Sequence, residues 1–150
     1  MKDVKLFDHV ESLNDKKQTI VTESNNLFSV GQKQLICLAR AILQKTKILV
    51  LDEATANVDL ETDNLIQQKL RSSFESSTVI LIAHRLATVI DSDRILVMDK
   101  GRGEEFDHPF RLLVNDPEND DEITKTDGLL AKMVMATGAE TAKSLFDIAK

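Results

Sequence analysis

Two adjacent carboxylates, Asp52 and Glu53, close an apolar run that begins at Ile48. Ligands of open α/β sheets gather outside the carboxyl ends of the strands, so a pair of acidic side chains there could act on a substrate. Side chains alternate along a strand, and the two carboxylates can therefore point differently, one toward a hydrated Mg²⁺ and the other toward an attacking water. The same dipeptide also fits a strand that merely enters a solvated turn.

Two further polar residues stand where elements begin or end. His84 follows the next apolar run, Thr78 to Ala83, and is either a residue that acts on a ligand or a hydrogen-bonded structural residue. Ser29 precedes an apolar stripe of helical period that continues to Gln44, so it is a predicted N-cap. A helix N-terminus at that position favours anions.

The elements that position these residues follow from hydrophobic periodicity. The runs Ile48 to Leu51 and Thr78 to Ala83 are continuously apolar, a pattern typical of strands that are buried on both faces of a parallel sheet. Leu60 to Phe74 has the pattern of the connecting helix, which completes a βαβ unit. Beyond it we expect a short helix, a third strand, a turn and a returning strand, at 85–91, 94–98, 99–103 and 104–107.

Amphipathic helices are predicted near both ends of the chain. Residues 3–13 have apolar positions at helical spacing, whereas residues 14–27 are polar and indicate a loop. The acidic, turn-rich stretch NDPENDDEITKTDG is predicted to be a mobile surface loop. Two tail helices follow at about 129–136 and 139–149. The apolar side chains expected to pack them are Leu129, Leu130, Met133 and Val134 on the first helix and Leu145 and Ile148 on the second.

Composition excludes several classes of protein. The 150 residues, 42% hydrophobic and 29% charged, fit one ordinary soluble domain. The net charge of -6 and the pI near 5.1 argue against nucleic acid or an anionic membrane surface as a direct partner. Every apolar run is far shorter than the ~20 residues that span a bilayer, so we expect no membrane insertion by this chain. The single cysteine, Cys37, lies among apolar residues of helical period and is predicted to be a buried thiol.

Four motifs occur in an order that is typical of one family. The turn Phe28 to Gln32, the strand Ile48 to Glu53, the turn Ala54 to Asp59 and His84 resemble the signature motif, the Walker B strand with its catalytic glutamate, the D-loop and the switch histidine of an ABC-type nucleotide-binding domain. Two longer stretches, DEATANVDLETDNLIQ and TVILIAHRLATVIDSDRILVMDKGR, look like the second such domain of the multidrug-resistance-associated transporters, the C subfamily. The resemblance covers nearly the whole chain.

The resemblance implies an α/β fold, namely a partial P-loop NTPase domain of the ABC type with a mostly parallel sheet flanked by helices. Residues 1–44 would form the helical subdomain and signature helix, 45–107 the core from Walker B to the switch histidine, and 108–150 the C-terminal tail helices. No G-x-x-x-x-G-K-[ST] occurs in the 150 residues, so the Walker A strand and loop are lacking. Phe28 in place of the commoner Leu is a milder departure from the signature.

The resemblance also implies which residues bind the nucleotide. Ser29, Val30, Gly31 and Gln32 would clamp the γ-phosphate of an ATP that the opposite domain holds. Ser29 can be a plain N-cap as well, and Gln32 can be simply an exposed residue of the first helical turn. Asp59 would reach the active site of the facing domain, or else cap the helix that begins near Leu60.

Three residues would serve the chain's own hydrolytic site. By the resemblance, Asp52 would hold Mg²⁺ through water, Glu53 would polarise the attacking water, and His84 would sense or stabilise the γ-phosphate. A glutamate at position 53 favours a hydrolysis-competent site, since a shorter or neutral side chain would place the base poorly.

The implied function is the coupling of ATP hydrolysis to export. The chain would be a fragment of a transporter's ATP-hydrolysing domain at the cytoplasmic face of a membrane, paired head to tail with a second nucleotide-binding domain and attached to transmembrane domains. Expressed alone, it would be soluble and cytosolic. A second hypothesis is a non-enzymatic module that docks on another nucleotide-binding domain and lends or regulates a composite ATP site. DNA-repair and chromosome-maintenance ATPases share the motif order, but the acidic charge and the transporter-like AHRLATVIDSDRILVMDKG weigh against them.

Overall fold

The computed structural model describes residues 6–22, 26–44, 46–53 and 60–150. The chain divides into two compact units, 1–82 and 83–150, each with its own hydrophobic core. The expected division into 1–44, 45–107 and 108–150 therefore stays a prediction. In chain order the elements are α1 (Phe7–Ser12), a 3-10 helix (Lys16–Gln18), α2 (Val30–Gln44), β1 (Ile48–Asp52), α3 (Leu60–Ser73), β2 (Thr78–Ile82), α4 (Leu86–Val89), β3 (Ile95–Asp99), β4 (Arg102–Asp107), α5 (Pro109–Leu113), α6 (Leu129–Met135) and α7 (Ala139–Ala149).

The first unit contains the predicted βαβ arrangement. Strands β1 and β2 pair in parallel, in a register that runs from Ile48 opposite Thr78 to Asp52 opposite Ile82. Helix α3 lies between them in the sequence, as its apolar period predicted. The core of this unit combines side chains of β1, α2 and α3, among them Leu49, Leu51, Leu35, Leu38, Ile66 and Leu70.

The expectation that these strands are buried on both faces is wrong. Leu49 and Leu51 are buried, but Ile48 and Val50 are 65% and 59% exposed. Ile82 on β2 is also exposed. The reason is that α2 and α3 supply apolar partners to the side of β1 that carries Leu49 and Leu51, and alternate side chains of a strand point the other way.

Cys37 is exposed, so the predicted buried thiol is wrong as well. The buried positions of α2 are Gly31, Leu35 and Leu38. These lie three or four residues apart on one side of the helix, and position 37 falls outside that stripe.

The second unit pairs β3 with β4 in an antiparallel hairpin, with a register shift between Val97 and Met98. The hairpin and three helices share one core, which includes Val97, Leu113, Leu130, Val134, Leu145 and Phe146. Helix α5 was not predicted. Its signal was Pro109 at the first helical position, after His108, whose ring Nδ1 accepts a hydrogen bond from the Phe110 N–H at 3.3 Å.

Glu105 fixes the start of α6 to β4. Its carboxylate accepts hydrogen bonds from the backbone N–H groups of Leu129 (2.8 Å) and Leu130 (3.0 Å), two donors that the first turn of a helix leaves without an intrahelical acceptor. The chain passes close to this carboxylate at Gly128, where a Cβ would lie 3.1 Å from Glu105 Oε1. A glycine is therefore the residue that fits there.

The predicted packing of the tail helices is partly wrong. Leu130, Val134 and Leu145 are buried as expected, but Met133 and Ile148 are each 49% exposed. The buried stripe of α6 contains Leu130, Ala131 and Val134, and that of α7 contains Ala142, Leu145, Phe146 and Ala149. Met133 and Ile148 lie outside these stripes.

The acidic loop before α6, predicted to be mobile, carries its own hydrogen-bond network. The Asp120 carboxylate accepts from the hydroxyl of Thr124 and from the N–H groups of Asn115 and Asp116. The Thr124 hydroxyl first, and then the backbone donors, hold the pKa of Asp120 below its usual value. The loop thus has a defined conformation around one ionised side chain.

Candidate functional site

The turn at Ser29 is a reciprocal cap of helix α2. The Ser29 hydroxyl accepts a hydrogen bond from the Gln32 N–H at 3.2 Å, and the Ser29 N–H donates to the Gln32 side-chain carbonyl at 2.9 Å. This is the capping box of a Ser-x-x-Gln sequence. The predicted N-cap is confirmed, and Gln32 closes the cap.

Part of the same turn is open to solvent. The N–H groups of the first helical turn lack intrahelical acceptors, and the macrodipole makes this end positive. Ser29 and Val30 are exposed, whereas Gly31 is buried, so the accessible part of the turn is Ser29 and Val30. The first turn of α2 contains no acidic residue, and the exposed Lys33 follows closely. This charge distribution suits an anion.

Helix α1 contacts the residues that lead into the turn. The His9 ring Nε2 lies 2.8 Å from the Leu27 carbonyl oxygen, and because a carbonyl only accepts, His9 donates this bond. The His9 and Phe28 rings meet edge to face with centroids 5.1 Å apart, and Phe28 is 6% exposed. The phenylalanine that departs from the commoner signature therefore packs against an aromatic partner supplied by α1.

The two adjacent carboxylates lie at the carboxyl end of β1, as predicted. Asp52 is the last residue of the strand, Glu53 follows it, and both are exposed. Glu53 has a φ of 45°, which is uncommon for a residue other than glycine, and its N–H donates to the Ile82 carbonyl at 2.9 Å. The end of β2 thus fixes the backbone that carries the Glu53 side chain.

Asp52 has the chemistry that Mg²⁺ prefers. Within the described ranges there is no group of three or more His, Cys, Asp or Glu suited to hold a metal ion. Mg²⁺ is usually bound by one or two carboxylates that are completed by substrate phosphates and water. A single exposed carboxylate at a strand end fits that mode.

Gln34 is a residue of this site that sequence reasoning missed. Its side-chain Nε2 donates to the Glu53 carbonyl oxygen at 3.3 Å, which links α2 to the end of β1. The available signal was a polar residue between the buried positions Gly31 and Leu35 of an otherwise apolar helix face.

His84 and Asp59 are the remaining predicted site residues. His84 follows β2, is exposed and belongs to the second unit. Asp59 and the turn from Ala54 lie outside the described residues, and the role predicted for Asp59 stays a prediction. Along the described stretches, no helix is long and apolar enough to cross a bilayer.

Comparison with known proteins identifies the family. A family model described as ABC transporter matches residues 2–56. The ATP-binding cassette sub-family C member 4 of Mus musculus is 50% identical over all 150 residues. This chain belongs to the C subfamily of the ABC transporters. It spans 11% of the length of the mouse protein, and 10% of ABC transporter C family member 3 of Dictyostelium discoideum, to which it is 47% identical.

A solved structure has the same fold as this ABC transporter segment. A bacterial Atm1-family ABC exporter with ATP bound superposes with a TM-score of 0.74 at 35% identity. The match covers 92% of this chain and 22% of that one. The α/β fold expected from the motif order is therefore confirmed.

Proposed function

We propose that the chain is the distal part of an ATP-hydrolysing domain that couples hydrolysis to export in a C-subfamily transporter. The observation that carries the proposal is the position of Asp52 and Glu53 at the carboxyl end of β1, where the Glu53 backbone donates a hydrogen bond to β2 and accepts one from α2. Family membership supports it. In this proposal the domain works at the cytoplasmic face of a membrane and is attached to transmembrane domains.

Glu53 is the proposed general base. Its exposed carboxylate would accept a proton from the water that attacks the γ-phosphate. Asp52 is the residue that would hold Mg²⁺, an ion that neutralises phosphate charge when it is bound. His84 would contact the γ-phosphate and stabilise the charge that develops on it.

The Ser29 turn is the proposed phosphate clamp. Ser29, Val30, Gly31 and Gln32 would face the γ-phosphate of an ATP bound to a second nucleotide-binding domain, in a head-to-tail dimer. The capping box supports this role because it fixes the geometry of a turn in which Ser29 and Val30 are exposed. Asp59 would serve the active site of the same facing domain.

A second candidate function is a non-enzymatic module that lends this clamp to another domain. The observation that favours it is that the Ser29 turn is fully formed within this chain, with its cap closed by Gln32. In that case the exposed Ser29 and Val30 would complete a partner's ATP site, and Glu53 would take no part in hydrolysis.

A chimaera separates the two candidates. The 150 residues would replace the matching segment of the mouse sub-family C member 4. The remaining chain is expected to supply the Walker A loop, which holds the phosphates of ATP and is called the phosphate cradle below. Under the first proposal, Glu53→Gln lowers MgATP turnover of the purified chimaera about 100-fold or more, the usual scale for loss of a general base. Glu75→Gln, at an exposed glutamate just after α3, is the matched control and leaves turnover unchanged. Equal turnover in the two variants would exclude Glu53 as the base and would support the non-enzymatic module.

A further inference from the structure

Gln34 makes a contact that a residue chosen for packing would not make. Its side chain is half-buried on α2, and its Nε2 reaches the Glu53 carbonyl across 3.3 Å. The other end of the same amide, Oε1, is buried and has no hydrogen-bond partner within the described ranges. A buried polar atom without a partner is costly, and an apolar side chain would avoid that cost. The amide is therefore best explained by the bond that Nε2 donates.

The acceptor of that bond is an unusual stretch of backbone. Glu53 adopts a φ of 45°, a left-handed conformation that persists only where its surroundings hold it. Its N–H is held by the Ile82 carbonyl of β2, and its carbonyl is held by Gln34 of α2. Because the peptide groups on both sides of the Glu53 Cα are anchored, these two bonds constrain the direction in which the Glu53 side chain leaves the backbone.

Gln34 also lies within two turns of the cap at Ser29. The Gln32 N–H is bonded to the Ser29 hydroxyl, and Gln34 is two residues further along the same helix. A displacement of the first turns of α2 would therefore move the donor that holds the Glu53 carbonyl. The Gln34 side chain therefore links the turn proposed to face a phosphate with the backbone of the proposed base.

We propose that Gln34 is a positioning residue for Glu53, which couples the start of helix α2 to the orientation of the base. The inference rests on the proposed function, because it assigns Gln34 a role in hydrolysis only if Glu53 is the base. In this role Gln34 does not contact the nucleotide, but it orients the Glu53 carboxylate toward the attacking water. A purely structural role would lower stability without changing turnover by the folded protein.

The kinetic test uses the same chimaera. Gln34→Met keeps the size of the side chain and removes the donor, and Gln34→Glu replaces the donor with a group that repels the Glu53 carbonyl. Both should lower kcat about ten-fold or more and leave the KM for MgATP within about two-fold, because the base is misplaced while nucleotide contacts remain. Gln44→Met, at the exposed last residue of α2, is the matched control and should leave both constants unchanged.

A double variant separates this inference from the proposed function. When Glu53→Gln has already removed the base, Gln34→Met should lower kcat no further, since there is no base left to position. If Glu53→Gln abolishes turnover and a folded Gln34→Met or Gln34→Glu variant keeps kcat within about two-fold of the parent, the inference is overturned and the proposed function stands. If Glu53→Gln leaves turnover unchanged, the proposed function fails and the catalytic role of Gln34 fails with it.

A spectroscopic test needs no activity. In the 150-residue chain, the carbonyl ¹³C resonance of Glu53 should shift in Gln34→Met and in Gln34→Glu, because the carbonyl loses its hydrogen bond. The Glu53 amide should also exchange with solvent faster if the strained backbone relaxes. Gln44→Met should change neither signal. Unchanged Glu53 signals in both position-34 variants, with the fold intact by circular dichroism, would show that Gln34 does not hold this backbone.

Discussion

Met133 and Val134 are neighbours on α6, yet the first side chain is 49% exposed and the second is 0% exposed. An aspartate at position 134 would place a charge in the core that Val134 shares with Leu130 and Phe146, so Val134→Asp should destabilise the chain by roughly 4 kcal/mol or more. Met133→Asp should change the free energy of unfolding by less than about 0.5 kcal/mol, because surface substitutions seldom do more. Urea denaturation of the two variants checks this pair. Equal destabilisation would place Met133 in the core, where its sequence position had suggested it lay.

The capping box of α2 predicts a second pair of results. Ser29→Ala removes the acceptor of the Gln32 N–H and should cost about 1 kcal/mol, the usual effect of losing an N-cap. Gln32→Glu should cost much less, since a glutamate can accept the same bond from the Ser29 N–H. Amide hydrogen exchange at Gln32 measures the effect locally, and about 1 kcal/mol corresponds to roughly five-fold faster exchange. Ser29→Ala exchange rates equal to the parent's would contradict the cap.

Much of this architecture follows from local sequence patterns. The bounds of α2, α3 and β2 are predicted to within a residue or two because apolar period and capping residues are local properties. Exposure depends instead on which neighbour covers each face, and no neighbour is visible in the periodicity. Val50 and Cys37 were therefore assigned to the interior and are exposed in the structure.

The residues of the candidate site also differ in whether a local sequence pattern predicts them. Ser29, Asp52 and Glu53 were predicted because their motifs are contiguous and end at element boundaries. The bond from Gln34 to the Glu53 carbonyl joins residues 19 positions apart. Its geometry depends on how α2 packs beside β1, and a sequence pattern does not contain that relation.

The Asp120 network predicts how acid destabilises the second unit. Hydrogen bonds from Thr124 and the backbone lower the pKa of Asp120 from 3.8, so its ionised form is favoured in the folded state. Its contribution to stability is therefore complete above that value and is lost as the pH falls through the lower, folded-state pKa. The melting temperature of the chain should drop below about pH 4 more steeply than that of Asp120→Asn, which lacks the titrating group.

Glu122→Gln provides the control for this pH dependence. Glu122 is an exposed carboxylate of the same loop, and its replacement should leave the acid limb of the melting curve as it is in the parent. If Asp120→Asn and the parent lose stability in parallel as the pH falls, the carboxylate of Asp120 is not the group that stabilises the loop.

Nucleotide binding by the 150 residues alone gives the last prediction. A ligand that binds only the native state stabilises it by about 2.7 kcal/mol at 100 times its Kd, and each kcal/mol raises the melting temperature by roughly 2–4 °C in domains of this order of size. A complete nucleotide-binding domain should therefore gain several degrees in millimolar MgATP. This chain should gain less than about 1 °C, because the roles proposed for Asp52, Glu53 and His84 all require a phosphate that a Walker A loop holds in place.

Adding a partner domain with an intact cradle tests whether the lack of a cradle is the reason for weak MgATP binding by the isolated chain. Binding should then return, with Ser29 and Val30 facing the partner's nucleotide. Turnover at that composite site should be insensitive to Glu53→Gln, since the partner supplies its own base, in contrast to the chimaera, where the cradle and Glu53 belong to one domain. A large MgATP shift of the isolated chain, together with an ATPase activity that Glu53→Gln abolishes, would mean that residues assigned here to the core or the surface form a cradle of their own.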